Sequence, residues 1–513
     1  MTFFRALIIL LVGLTAQTQQ GPVLGTSPVQ TVRQFLGIPY ATAKRWQAPT
    51  PPRNRTETFD ASKFGDSCPQ QLNAYNIEFL RTAWGGLTDE EIFVNESEDC
   101  LNLNIWAPAV DRGQKTAVLI WMFGGSFVFG TSNMPFYNGL NIVKDNDDII
   151  VVTINYRLNV FGQPNAPQLN PSSDSAAQNF CLLDADAAIQ WVYENIAFFG
   201  GDPERITIFG QSAGAELVDA YTYSHVNDTI VKGVIAQSGS ILGNTGLVAG
   251  ETSLDEADWN DVASIVGCGN VTDSAQLACM QNASTTALSE AVNGMSTQFR
   301  LVLDNVTVFA DTKTRAASGN FLKVPMLTGT TANEGDIIVA VAELELLGIT
   351  VQPVLDILSS IYTMQTSCPV AETAAYRIAA GGIVFRYEYQ AVFPNLSPIP
   401  QLRAYHTSEI PLVFGTYNHS TLSSPSTENE IILSETIQRA WVLFARDPKG
   451  GLLREMGWPG YDLQRPTIAT LGNYKNATGW GLEAPSPGID LLCGNLTFFD
   501  GIFGEVGGLL AAL

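Results

Sequence analysis

A chain of 513 residues, 46% of them hydrophobic and 15% charged, is long enough to bury a large core, and it holds no repeat or low-complexity tract. Its 27 Lys and Arg stand against 50 Asp and Glu, a net charge of −23 that repels nucleic acid and anionic membrane surfaces alike. Neither is an expected partner.

The chain opens on "MTFFR", a positive start, then the apolar "ALIILLVGL" and small residues near Thr15 and Ala16. That run is too short to span a bilayer, so residues 1–18 read as a cleaved secretory signal and 19–513 as one domain. "TAVLIWMF" (116–123) and "IIVVTI" (149–154) are continuous apolar runs of the kind found in strands buried on both faces. The segment 175–196 has Phe180, Leu183, Ala187 and Trp191 at helical spacing. Next come the strand "RITIF" (205–209), a turn at Ser212 and a helix through Leu217. "GVIAQ" (233–237), "VPMLTG" (324–329) and "VFRYEY" (384–389) predict further strands, and "ETIQRAWVLFA" (435–445) a helix. The stretches 250–320 and 340–380 read as a helical insertion over one edge of the sheet. Strands alternating with helices imply an α/β protein with a mainly parallel sheet. The C-terminal "GGLLAAL" is shorter than a lipid-anchor signal, so no stable membrane anchor is expected.

Secretion is coherent with two other features. Ten N-x-S/T sequons occur, at Asn54, Asn95, Asn227, Asn270, Asn282, Asn305, Asn395, Asn418, Asn476 and Asn495. Seven cysteines suit an oxidising compartment, where three bridges and one free thiol are the natural count. None has zinc-type CxxC spacing, so no metal and no cofactor are expected.

Chemistry enters at Gly210-Gln211-Ser212-Ala213-Gly214, a G-x-S-x-G pattern where a strand turns into a helix. The glycines permit a tight turn, and the helix N-terminus favours developing negative charge. The pattern alone also fits an ordinary glycine-rich turn. "WMFGGSFVFG" (121–130) follows another strand, and its Gly124, Gly125 and Ser126 offer backbone N–H groups to a substrate oxygen, alongside the N–H of Ala213. A serine needs a base, and the chain has three histidines. His419 lies inside one sequon and His225 two residues before another, which assigns both to the exterior. That leaves His406, in "LRAYHTSEIPLVFG". The acid that orients it is expected between serine and histidine. Glu334, in "TGTTANEGD" just after a strand, is the candidate, with Asp336 as its rival.

These residues resemble the type-B carboxylesterase/lipase family of α/β-hydrolases, which includes cholinesterases and secreted fungal lipases. The likeness runs from "FLGIPYA" (35–41) through "SEDCLNLNIWAP" (97–108), "NYRLNVFG", "WVYENIAFFGGDP", "GQSAGA", "QSGS" and "NEG" to "HTSEIPLVFG" and "AWVLFARDP". It implies an α/β-hydrolase fold, with helices on both faces of the sheet and one catalytic domain over 19–513. It also implies Ser212 as nucleophile, Glu334 as acid and His406 as base, with oxyanion donors at the N–H groups of Gly125, Ser126 and Ala213. Ser238 matches a serine that supports the triad's hydrogen bonds. The cysteine order implies bridges Cys68–Cys100, Cys268–Cys279 and Cys368–Cys493, leaving Cys181 free.

The chain departs from the family in four places. Ser126 replaces the third oxyanion glycine, Cys181 and Ala185 replace a glycine and a glutamine around Asp184, and Gln211 stands where cholinesterases have glutamate. Trp84 is the only tryptophan between Cys68 and Cys100, further from Cys100 than a choline-binding tryptophan, so no cation-binding aromatic site is expected.

The expected activity is that of a secreted serine ester hydrolase on small-molecule or lipid esters. A triacylglycerol lipase or sterol esterase is the alternative within the class. A non-catalytic adhesion protein of the same fold is the alternative outside it, but such proteins lose part of the triad. The 68–100 loop places Leu72, Tyr75, Phe79, Leu80 and Trp84 at roughly helical spacing. In lipases resembling this chain the corresponding loop is a lid. A lid with transient lipid-interface contact is expected here, against a static surface helix.

Overall fold

The computed structural model describes residues 13–483 and Cys493, apart from residues 86, 110–114, 170–176, 244–256, 296–297, 343–351, 420–423, 464, 466 and 474. In chain order the strands are β1 (Thr15–Thr18), β2 (Gly21–Leu24), β3 (Thr26–Val29), β4 (Val32–Pro39), β5 (Phe59–Asp60), β6 (Asn102–Pro108) and β7 (Thr116–Met122). They continue as β8 (Ile149–Ile154), β9 (Gly201–Gln211), β10 (Val231–Gln237), β11 (Met326–Thr331), β12 (Val384–Tyr389), β13 (Ile468–Asn473) and β14 (Asn476–Glu483). The helices that matter for the site are α1 (Ala74–Ala83), α2 (Phe180–Asn195), α3 (Ala213–Ser224), α4 (Gln352–Ala379), α5 (Ile410–Phe414) and α6 (Glu428–Arg446).

The main sheet has 11 strands in the order β14-β13-β12-β11-β10-β9-β7-β8-β6-β4-β3. From β13 to β8 every pairing is parallel, and both edges are antiparallel. This is the α/β-hydrolase architecture, with helices on both faces. At its centre Ile208 of β9 lies between Ile120 of β7 and Val234 of β10, all three wholly buried. Burying a side chain of this size stabilises the fold by about 1.5–3 kcal/mol. One residue along β9, Phe209 points to the opposite face and packs on Trp121 and Phe414 of α5. The core therefore continues through both faces, and the carboxyl ends of the parallel strands stand over it.

A smaller sheet, β1-β2-β5, sits at the N-terminus. Ala16 pairs with Val23 and both are buried, so the last four residues of the expected leader belong to the fold; residues 1–12 lie outside the described residues. Helices at Ala257–Ile265, Ser274–Asn282 and Thr285–Asn293, followed by α4, form the helical insertion. Disulfides join Cys68–Cys100, Cys268–Cys279 and Cys368–Cys493, and Cys181 is a buried free thiol on α2. Among the described residues no helix is long and apolar enough to cross a membrane.

Eight of the sequon asparagines are exposed, at 54, 95, 227, 270, 282, 305, 418 and 476, and Asn495 lies outside the described residues. Asn395 differs from these eight. It is 1% exposed, and the amide nitrogen that a glycan would occupy donates to Tyr417 O (3.0 Å) and Glu430 Oε1 (2.9 Å). A folded chain has no room for a sugar there.

Candidate active site

Strand β9 ends at Gln211 and α3 begins at Ala213, so Ser212 alone must turn the chain. It does so at φ 56° and ψ −126°, a sparsely populated backbone whose strain is about 1–3 kcal/mol. Its neighbours make the turn sterically accessible. A Cβ on Gly210 would lie 2.4 Å from the Gly214 carbonyl oxygen, and one on Gly214 would lie 2.0 Å from that of Met122. The Ser212 N–H donates to Gln237 O (2.9 Å), tying the turn to the end of β10. The serine is thereby held at the wall of a cavity of about 290 Å³, which Glu334 and His406 also line.

His406 precedes α5, and its Nδ1 lies 2.5 Å from Glu334 Oε2. Glu334 follows β11, is 2% exposed, and accepts the Thr331 N–H at its other oxygen (2.7 Å). Asp336, its rival in the sequence, is engaged elsewhere, bound by the Arg403 guanidinium (2.9 and 2.7 Å) and the Ser359 hydroxyl (2.6 Å). A carboxylate at Nδ1 fixes the ring proton there and leaves Nε2 as the basic nitrogen. Burial opposes the imidazolium, but the charge and hydrogen bond of Glu334 outweigh it and hold His406 above its ordinary value.

The Nε2 lone pair already has a partner, because the Gln211 side-chain nitrogen lies 3.0 Å away and donates to it. No hydrogen bond joins Ser212 Oγ to His406 among the described residues. The structure thus brings the three residues to one cavity with the glutamine between serine and base. The other histidines lie elsewhere. His225 pairs with Asp186 (3.2 Å) and stacks on Tyr221, while His419 pairs with Glu91 (3.1 Å) against Phe136.

The loop after β7 passes directly over the serine, where a Cβ on Gly124 would come 3.0 Å from the Ser212 Cβ. Gly125 (φ 119°) and Ser126 (φ 53°) both have left-handed backbones. At Gly125 a Cβ would meet the Phe129 carbonyl oxygen at 2.2 Å. The N–H groups of Gly125, Ser126 and Ala213 donate to no acceptor among the described residues. Such donors beside a nucleophile suit a developing oxyanion. Ser238, which the resemblance implies supports the triad's hydrogen bonds, lines the same cavity, and among the described residues its buried hydroxyl has no protein partner.

Four features of the site have no counterpart in the sequence reading. Besides the Gln211 contact, Glu409 is wholly enclosed beside the triad and accepts from Gln237 (3.1 Å); burial and the Glu334 charge push its carboxyl up to about 7. Glu216, one turn after Ser212 on α3, lines the cavity, and burial pushes it up to about 7 as well. Arg300 lines it from the insertion side. The i+4 spacing of Glu216 from the serine was a legible signal; the other three depend on long-range packing. Helix α1 roofs the cavity with Tyr75, Asn76, Phe79, Leu80 and Trp84. Among the described residues no cluster of three or more His, Cys, Asp or Glu side chains is arranged to hold a metal.

A parallel sheet with a strained serine at the end of a central strand, beside a His–Glu pair, defines the class of α/β-hydrolases. The sequence profile of the carboxylesterase family matches residues 13–347 and 350–485. The chain belongs to the carboxylesterase family and is a carboxylic-ester hydrolase. It is 35% identical to secreted lipase 5 of Gibberella zeae over 84% of each chain. It is 36% identical to a chlorogenic acid esterase of Aspergillus niger, covering 86% of this chain and 84% of the relative, and 28% identical to a para-nitrobenzyl esterase of Bacillus subtilis, covering 86% and 92%.

Proposed function

We propose that this chain is a secreted serine esterase that cleaves small carboxylic esters through an acyl-enzyme. The carrying observation is the strained Ser212 on the wall shared with a histidine whose Nδ1 is held by a buried glutamate. Gln211 releases Nε2, which takes the Ser212 proton as Oγ bonds to the ester carbonyl carbon. Negative charge on the carbonyl oxygen is met by the N–H groups of Gly125, Ser126 and Ala213. The tetrahedral intermediate collapses, His406 protonates the departing alcohol oxygen, and an acyl-Ser212 remains. Water, deprotonated by His406, attacks that carbonyl; the acid leaves and Ser212 regains its proton. Glu334 keeps the ring in the required tautomer and stabilises the imidazolium.

Export is supported by the leader-like N-terminus, three disulfides, exposed sequons and a relative named as a secreted lipase. The single domain is read from the one large sheet that carries all parts of the site. Opening of the α1 roof at a lipid surface is a second reading, favoured by the partly buried Tyr75 and Phe79 on its inward face.

Reaction with phenylmethanesulfonyl fluoride followed by peptide mapping tests the mechanism. Label is expected on Ser212 together with loss of ester hydrolysis, and Ser212→Ala should fold yet lose nearly all activity. Full inactivation with label elsewhere and Ser212 unmodified overturns the proposal.

A further inference from the structure

Among the described residues, the cavity-lining guanidinium of the half-buried Arg300 has no hydrogen-bond or ion-pair partner. This is unusual in a chain whose acidic residues outnumber its basic ones 50 to 27. Its placement is not loose. Phe299 before it and Leu301 after it are buried, Gln163 holds Phe299 O (3.2 Å), and Asn179 holds both the N–H (2.7 Å) and the carbonyl (2.8 Å) of Val302. Glu216 and Arg300 act on each other through space, but among the described residues no hydrogen bond joins them. Burial pushes Glu216 up to about 7, so near neutral pH it is only partly ionised and neutralises Arg300 only in part. A guanidinium on a pinned backbone, lining the same cavity of about 290 Å³ as Ser212, matches a planar carboxylate in bidentate contact.

We propose that Arg300 is a specificity-determining residue that binds a carboxylate carried by the ester, so that the enzyme favours monoanionic esters over neutral ones of equal size. This rests on the esterase reading above. The anion can sit in the acyl half or in the alcohol half of the substrate, and matched pairs distinguish them. p-Nitrophenyl hydrogen glutarate against p-nitrophenyl methyl glutarate tests the acyl half. 4-Carboxyphenyl butyrate against 4-carbamoylphenyl butyrate tests the alcohol half.

The measured quantity is the ratio of kcat/KM, anionic over neutral, for the full chain. Arg300→Gln is expected to lower that ratio about 10- to 100-fold in at least one pair, mainly through KM, the range for losing a charge-assisted hydrogen-bonded contact. Arg300→Lys keeps the charge without the fork and should recover part of the loss. Calorimetric titration of Ser212→Ala with the same esters, with and without Arg300→Gln, reports affinity without turnover. Ratios unchanged within about twofold in both pairs, or equal affinity for both members of each pair in Ser212→Ala, overturn the assignment. Failure of the wild type to cleave any of the four esters would instead sink the esterase reading, while the titration still decides the role of Arg300.

Discussion

On the mechanism proposed above, His406 decides the pH response, because only its neutral form can accept the Ser212 proton. Glu334 first and then Glu409 and Glu216 favour its protonated form against burial. kcat/KM for a neutral ester should therefore fall toward acid with a midpoint above 6.5; a midpoint at or below that value contradicts the assigned electrostatics. Glu409→Gln removes one of those carboxyls, so its acid limb should move to lower pH, and a shift upward would reverse the argument. Because these groups interact, each midpoint belongs to the cluster. The same carboxyl bears on stability. Its folded pKa is raised from 4.5 to about 7, so the folded state binds its proton more tightly, and that contribution is lost as pH rises through the folded value. Melting temperature should drop between about pH 5 and about pH 8, and drop less in Glu409→Gln; an equal drop would rule out Glu409 as the cause. That Ser212, Glu334 and His406 would meet was legible in the sequence because short motifs and chain order mark them, and all three line one cavity. Arg300 was not, since nothing local distinguishes a cavity arginine from a surface one, and Gln211 was legible as a departure but not as a contact with His406.

At the scale of elements, the strands most plainly legible in the sequence are those with continuous apolar runs, β7 and β8. Strands β4 and β6 escaped because polar residues interrupt them. Arg33 is buried, donating to Pro108 O (2.8 Å) and Phe199 O (2.6 Å), and Asn104 is buried between the Gly37 N–H and the Thr153 hydroxyl. Only tertiary partners make such residues acceptable inside a sheet. Helix α1 was recognised, but its docking was not. Trp84 stacks on Phe136 at 5.0 Å and is 4% exposed, and the Tyr405 hydroxyl donates to Ala83 O (2.8 Å). Opening the roof must break these contacts. If it opens at a lipid surface, activity on an emulsified long-chain ester rises sharply once substrate exceeds its solubility, and replacing Phe79 and Trp84 with Ser blunts the rise. Smooth saturation through the solubility limit, unchanged in that double variant, leaves the roof static.

Across the whole molecule, the three disulfides close chain segments of very different length. Cys368 and Cys493 are 125 residues apart, whereas Cys268 and Cys279 are 11 apart. If cross-links act by restricting the unfolded chain, the longer one stabilises more, by about 1–2 kcal/mol. Replacing Cys368 and Cys493 with Ser should thus lower the denaturation midpoint more than replacing Cys268 and Cys279. The reverse order would mean that local packing in the insertion dominates over chain entropy. The net charge of −23, legible from composition alone, bears on solubility and partners; it said nothing of the cation set inside the cavity.

On the secreted reading proposed above, the buried sequon at Asn395 would act as a clock. Sugar is attached to a side-chain nitrogen that the finished fold hides between Tyr417 and Glu430, so attachment at this site competes with folding itself. A chain that folds promptly closes the site and leaves it bare. A chain that lingers unfolded offers Asn395 to the modifying enzyme, and the bulky adduct then blocks the native arrangement for good. Peptide mapping should find Asn395 unmodified in exported protein and modified only in retained, misfolded material, so that its occupancy records how long each chain stayed open.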